Sequence, residues 1–499
     1  MTGFERVHMA ALAGLLHDVG KFAQRAGEPP DEDYQAFNEE DYGAHGAHAK
    51  WRATFVSRHV PDQWRAGLSP ELHQRDPRDR VGKAVALADR LSAAERERAE
   101  EGRERQLLSV FCRLGEPDRQ PAEKFWPLRR LALSEDALFP GDALPPQKET
   151  AAYRALWEQF TADVDRLPDD DLPSYLEGLY YALQRHTWCV PGAYYRSLPD
   201  VSLFDHSRTT AALAACLVEL DEPTLDALLA RERQEELLVL LVGGDVSGVQ
   251  DFIYTLTAKG AAKGLRGRSF YLELLTEAVA RYVLRRLELP LTNLLYVGGG
   301  HLYLLAPISA DKNLRTIQAE VSHKLLEHHQ GDLYLALGWD KVAAQDFRRE
   351  AFGDKWRAVT QAMSAAKRRR FAELDAETLR KDVFAPQGTG GGKEYECQVC
   401  HYYGQDVQTE GQGEAARRIC PLCRSLEDLG GALRDADYVL LGQVPPQDGP
   451  RQGFSETLAA FGLAPGLTSQ GGHPVLRVRG RPERLSLLAM RDRPDVFDT

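Results

Sequence analysis

Apolar positions recur three and four residues apart through much of the first hundred residues. MAALAGLLHDVGKFAQ and DRVGKAVALADRLSAAERERAEE both carry this spacing, which predicts amphipathic helices. Residues 115–150 break the pattern with proline and charge (GEPDRQPAEKFWPLRR, FPGDALPPQKE) and read as a connector. Helical spacing returns over 151–190 and 207–230. At 237 the period changes: LLVLLVGGDVSGVQDFIY reads as a buried strand, a glycine turn and a helix start. KGLRGRSFYLELLTEAVARYVLRRLEL then predicts a long helix. LLYVGGGHLYLL predicts a hairpin turning on Gly298, Gly299, Gly300 and His301, and a helix over 312–329 and a strand around DLYLALGW follow. Strand, helix, hairpin, helix, strand is the order of an α+β, ferredoxin-like βαββαβ sheet with helices on one face. A charged helix is expected over 354–381, and PVLRVRGR is the one strand expected in the last 70 residues.

With 499 residues, roughly three or four domains are expected. The reading divides them into a helical domain at 1–110, a connector and helical segment at 111–235, and the sheet at 236–350. A helical segment with a cysteine module occupies 351–430, and a further domain or linker begins at 431. No run of about 18 uncharged apolar residues occurs, so no membrane span is expected. The N-terminus lacks a secretory layout, which points to the cytoplasm. A net charge of −12 argues against a uniformly basic nucleic-acid coat while leaving room for a local basic groove.

Seven cysteines are present, four of them in two tight pairs: Cys397 and Cys400, then Cys420 and Cys423 after 19 intervening residues. Two knuckles at this spacing form a closed tetrahedral zinc site with a structural role. The first ninety residues hold six histidines, one of them in the pair His17-Asp18, together with the acid Asp89. Adjacent helical side chains diverge by about 100°, so one of a pair can ligate an ion while the other completes the site. Asp89 lies among small apolar residues, a costly place for a carboxylate unless it is paired or metal-bound. Nitrogen and oxygen donors together suit Mn²⁺, Fe²⁺, Ni²⁺ or Co²⁺, which activate water against phosphodiesters. A lone His-Asp dipeptide arises by chance, and isolated histidines are usually surface residues. The candidates are His17, Asp18, His48, His73 and Asp89, with His17, Asp18 and Asp89 as the catalytic set.

Asp245 ends the first strand in the position of a palm-type metal ligand, but the facing tip, Gly298 to His301, carries no carboxylate. Asp245, Ser247, Gly248 and the tip residues are the candidate nucleotide contacts. Lys259, Lys263, Arg266 and Arg268 lie in a segment without acids, punctuated by glycines. That suits phosphate or an RNA backbone. The run KRRR at 367–370 reads as a solvated helix face.

Together, LLHDVGKFAQRAG, ALADRLSAAER, PDVSLFDHSRTTAALAACL, the strand–helix–hairpin block and the four cysteines resemble the large subunit of type III CRISPR effector complexes, most closely the Csm (III-A) form. The likeness spans residues 1 to about 425. It implies an RNA-guided antiviral role with an HD domain that acts as a metal-dependent single-stranded DNase, endo- or exonucleolytic. It also implies a degenerate first palm, whose partner palm bears a Gly-Gly-Asp-Asp hairpin that makes cyclic oligoadenylates from ATP and Mg²⁺. By position, His17 and Asp18 match the family's HD pair and Asp89 its later helix acid; His48 and His73 align less closely. No Gly-Gly-Asp-Asp occurs, so the sequence reads as an N-terminal portion without the second palm. Implied partners are the CRISPR RNA 5′ region, target RNA, single-stranded DNA, and the small and backbone subunits. Two alternatives remain at this point: a non-catalytic scaffold, and an HD phosphohydrolase of small nucleotides.

Overall fold

The computed structural model describes residues 2–34, 46–68, 77, 79–93, 105–114, 121–132, 134–193, 198–258, 260–385, 395–413, 416–436, 438–449, 452–468 and 485–489. His73, Lys259 and the expected strand at 474–481 lie outside the described residues.

The first part is helical: α1 (Gly3–Leu16), α2 (Val19–Ala26), α3 (Gly46–His59) and α4 (Arg80–Ser92). After the connector come α5 (Pro146–Val164), α6 (Leu172–Thr187), α7 (Leu203–Leu217) and α8 (Glu222–Leu229). Helix α1 opens on a reciprocal cap, in which Thr2 Oγ1 accepts from Glu5 N and the Glu5 carboxylate accepts from Thr2 N. Every residue from Val7 to Leu16 is buried, so α1 is a central helix enclosed on all sides rather than an amphipathic surface helix. It packs closely on α7: a Cβ on Gly14 would lie 2.6 Å from Ala211 Cα.

The sheet follows: β1 (Leu237–Ser247), α9 (Ala261–Arg286), β2 (Leu294–Gly298), β3 (His301–Pro307), α10 (Asp311–His329), β4 (Tyr334–Ala343) and α11 (Arg349–Lys367). The strands pair antiparallel in the order β2-β3-β1-β4. Residues 238–244 of β1 are all buried, so both faces of the sheet are covered. This corrects the expectation of helices on one face only. Helix α11 lies on the second face, against Gly243 and Gly338, where a Cβ would strike Val359, Ala362 or Met363. It ends at Lys367, earlier than the charge pattern indicates, and Phe371 reverses the chain with φ 64°.

The cysteine module contains a two-stranded ribbon, β5 (Gln408–Glu410) with β6 (Arg417–Ile419), and α12 (Pro421–Ala432). Beyond it, β7 (Tyr438–Gln443), α13 (Phe454–Ala460), β8 (Leu463–Thr468) and β9 (Leu485–Ala489) form a second sheet in the order β8-β7-β9. None of these three strands was legible as a strand in the sequence. Among the described residues, no helix is long and apolar enough to cross a membrane.

Candidate metal centre and sheet site

His17 and Asp18 occupy the junction between α1 and α2. His17 Nδ1 donates to the Gly14 carbonyl at 2.7 Å, which leaves Nε2 as the nitrogen that faces inward. His206, on α7, brings its Nε2 to 3.2 Å from that nitrogen. It lies 3.3 Å from Asp18 Oδ2 and 3.1 Å from Asp89 Oδ1. Asp89, on α4, is 3.6 Å from His17 Nε2. His48, on α3, is 3.2 Å from Asp18 Oδ1. The donors of His17, Asp18 and His206 all lie within 4.8 Å of one another, close enough to share one ion.

Two close backbone approaches create this convergence. Gly14 lets α7 reach α1, and Gly20 lets α3 reach α2, since a Cβ there would lie 2.2 Å from the His48 carbonyl. His206 was not singled out as a ligand in the sequence. The signal was present, because Asp205-His206 is a second acid–imidazole pair, one turn after the N-cap Ser202.

The electrostatics are those of a cation site. Burial pushes the His17 imidazole down, but the Asp18 carboxylate outweighs it and raises the pKa to about 9. Burial raises the Asp18 carboxyl, yet the Lys21 ammonium, 2.5 Å away, and His17 hold it well below the usual carboxylate range. Burial likewise opposes ionisation of Asp89, while hydrogen bonds from His17 and His206 keep it low. Two carboxylates therefore stay ionised in a largely buried pocket, and a metal ion would replace the proton that His17 otherwise holds. Asp89, with 32% of its side chain exposed, is the member that opens to solvent.

Cys397, Cys400, Cys420 and Cys423 form a second cluster of potential ligands within 4.8 Å of one another. Hydrogen bonds from the other three thiols pull Cys397 far below the ordinary thiol pKa. Four sulfurs, grouped among the described residues without a further ligand, fit a structural zinc ion.

In the sheet, Asp245 and His301 are register partners, with His301 Nε2 3.4 Å from Asp245 Oδ2. Lys367 approaches the same oxygen to 2.5 Å. Gly298, Gly299 and Gly300 all take positive φ (154°, 58° and 79°), and Gly299 N donates to Glu273 on α9. Gly248 has φ 90°, and a Cβ there would lie 1.9 Å from the Asp332 carbonyl. The chain's own packing thus accounts for that glycine.

The basic segment needs correction. Lys263 and Arg266 are exposed, but Arg268 is only 3% exposed. It donates to the Phe252 carbonyl and to Cys423 Sγ at 3.0 Å, so it braces the cysteine module and is not offered to a phosphate. The glycines read as room for an RNA backbone serve helix packing instead. A Cβ on Gly267 would lie 1.8 Å from the Leu426 carbonyl of α12.

Residues 238–384 match the family model of Csm1 subunit domain B. The chain is 30% identical to the CRISPR system single-strand-specific deoxyribonuclease Cas10/Csm1 (subtype III-A) of Methanocaldococcus jannaschii, over 85% of this chain and 57% of that protein. It is 29% identical to the protein of the same name from Thermococcus onnurineus, over 94% of this chain and 59% of that one. The fold is shared with the Csm1–Csm4 subcomplex of a type III-A interference complex (TM-score 0.63, 24% identity, 94% of this chain and 56% of that one). It is also shared with a Csm1–Csm4 cassette holding one ATP (TM-score 0.62, 23% identity). Over most of its length the chain is similar to Cas10/Csm1 proteins of subtype III-A CRISPR systems. It spans a little under three fifths of the length of these curated relatives.

Proposed function

We propose that the chain acts in a type III RNA-guided antiviral complex, with its N-terminal helices forming an HD-type, metal-dependent single-stranded DNase. The observation that carries this reading is the meeting of His17, Asp18, His206 and Asp89 around one point, with His48 against Asp18. These side chains would hold a divalent transition ion, which, when bound, supplies Lewis acidity and an activated water for phosphodiester hydrolysis. The chain itself orients the donors: Gly14 fixes the His17 tautomer, Lys21 steadies Asp18, and Ser92 receives His206 Nδ1 at 3.4 Å. The nuclease unit then comprises residues 1–110 together with α7, which supplies His206. The relatives' name as single-strand-specific deoxyribonucleases supports the same substrate.

The four-stranded sheet is read as a ferredoxin-like first palm at 236–350, on the strength of its strand order. Asp245, Ser247 and the tip at 298–301 would face a nucleotide, as the ATP-bound relative suggests. Cyclic oligoadenylate synthesis would need a second, acidic palm with Mg²⁺. The cysteine module would hold zinc. A Csm4-like backbone subunit, guide RNA and target RNA are the proposed partners, and Lys263 and Arg266 are the basic residues left to meet a nucleic-acid backbone.

The test is cleavage of a labelled single strand by Mn²⁺-loaded protein, with metal content measured in parallel. His17→Ala, Asp18→Ala and His206→Ala should each lower cleavage by about 100-fold and lose the transition metal, while zinc stays near one per chain. Variants that cleave like the wild type would leave only the scaffold reading.

A further inference from the structure

The face of the sheet that carries Asp245 is not open. Residues 243, 245 and 247 of β1 share one face, and α11 lies across it against Gly243. Lys367, the last residue of that helix, ends with its ammonium 2.5 Å from Asp245 Oδ2. His301 stands on the other side of the same oxygen at 3.4 Å. A divalent ion bound here would find one carboxylate, already engaged by a fixed cation, and a hairpin tip of three glycines. The other acid near the tip, Glu273, accepts from the Gly299 amide. Two residues along the same strand face, Ser247 Oγ is buried without a hydrogen-bond partner among the described residues. Beyond Lys367, Arg368 and Arg369 are exposed, whereas Arg370 is drawn aside over the Tyr334 ring and donates to the Gly331 carbonyl.

The geometry points to Lys367 as a resident cation of this palm. Its ammonium holds the place beside Asp245 that a divalent ion would need, so this half of the pocket takes a nucleotide polyphosphate without a metal of its own. The inference deepens the nucleotide-binding reading given above and rests on it for the identity of the ligand. An ammonium has three donors. Asp245 occupies one and fixes its direction, and the remaining N–H groups, with Ser247 Oγ, are free to meet phosphate oxygens. Charge-assisted bonds of that kind need no metal bridge. The run KRRR, read from the sequence as a solvated face, thereby gains a division of labour: Lys367 turns into the site and Arg368 and Arg369 stay outside it.

The experiment uses the full chain carrying Asp18→Asn and Asp89→Asn to silence the helical metal centre, with ATP and Mn²⁺ as probes. ATP affinity should be the same within about twofold in EDTA and in Mg²⁺. Lys367→Met should weaken ATP binding in EDTA by about tenfold or more, and Lys367→Arg should restore most of it. By electron paramagnetic resonance, Lys367→Met should gain a bound Mn²⁺ that disappears when Asp245→Asn is added. An Mn²⁺ ion at Asp245 in the parent, or ATP binding indifferent to Lys367→Met, would overturn the inference. Failure of the parent to bind ATP in either buffer would instead remove the nucleotide reading and the phosphate half of the inference with it. The Mn²⁺ measurement would still decide whether Lys367 fills the cation's place.

Discussion

His186 illustrates how much a single side chain owes to its surroundings. Its imidazole is 1% exposed, and Nε2 lies 2.8 Å from Asp163 Oδ2. Burial pushes its pKa below the ordinary 6.5, and the Asp163 partner does not offset this. The folded state therefore favours the neutral ring. Its stabilising contribution is complete above pH 6.5 and is lost as pH falls through the lowered value. The thermal midpoint should accordingly drop between pH 7 and pH 5, and His186→Gln should flatten that drop. An unchanged slope in the variant would place the acid sensitivity elsewhere. Arg268 makes the complementary point, because a basic residue in a phosphate-friendly sequence turned out to serve a sulfur and a carbonyl.

At the scale of elements, the crossing of α9 and α12 attaches the cysteine module to the four-stranded sheet unit. Gly267 and Gly430 face each other there: a Cβ on Gly430 would lie 1.9 Å from the Lys263 carbonyl, as one on Gly267 would from Leu426 at 1.8 Å. Because both obstacles are backbone, neither can swing away. Gly267→Ala should cost about 2–3 kcal/mol in urea unfolding. Gly431→Ala, beside Gly430 on α12 with nothing within 4 Å, should be neutral or stabilising by up to about 1 kcal/mol. If the two variants unfolded alike, the crossing would not be the tight contact described. Helix–helix contact of this kind reads in sequence as small residues in a row, and the same residues fit a phosphate loop equally well. That ambiguity is why the basic segment was misread.

For the whole molecule, Arg281 on α9 is the charged hub. It is 5% exposed and donates to Glu177 at 2.7 Å, Glu277 at 2.5 Å and the Tyr181 hydroxyl at 2.8 Å. Glu177 in turn accepts from Gln443 of β7 at 3.0 Å. One guanidinium thus ties α6, the helix α9 of the four-stranded sheet unit and the C-terminal sheet. Arg281→Met should destabilise the chain by about 3–5 kcal/mol in denaturant titration, because the buried Glu177 carboxylate loses its cation and the partly buried Glu277 loses its partner. Adding Glu177→Gln should recover part of that loss; a loss below about 1 kcal/mol in the single variant would show that the hub is not shared.

The sequence by itself determined the elements whose signals are local. Helical spacing marked α1 and α4, the 237–247 run marked β1, glycines marked the 298–300 turn, and paired cysteines marked the module that brings four sulfurs together. Tertiary structure alone decided which distant residues meet. His206 joins His17 across 189 positions because Gly14 lets two buried helices touch, and Lys367 reaches Asp245 because α11 closes over a face expected to be bare. Periodicity reports which side of an element is apolar. It carries no term for which partner covers that side, and the chemistry of this chain lies at those contacts.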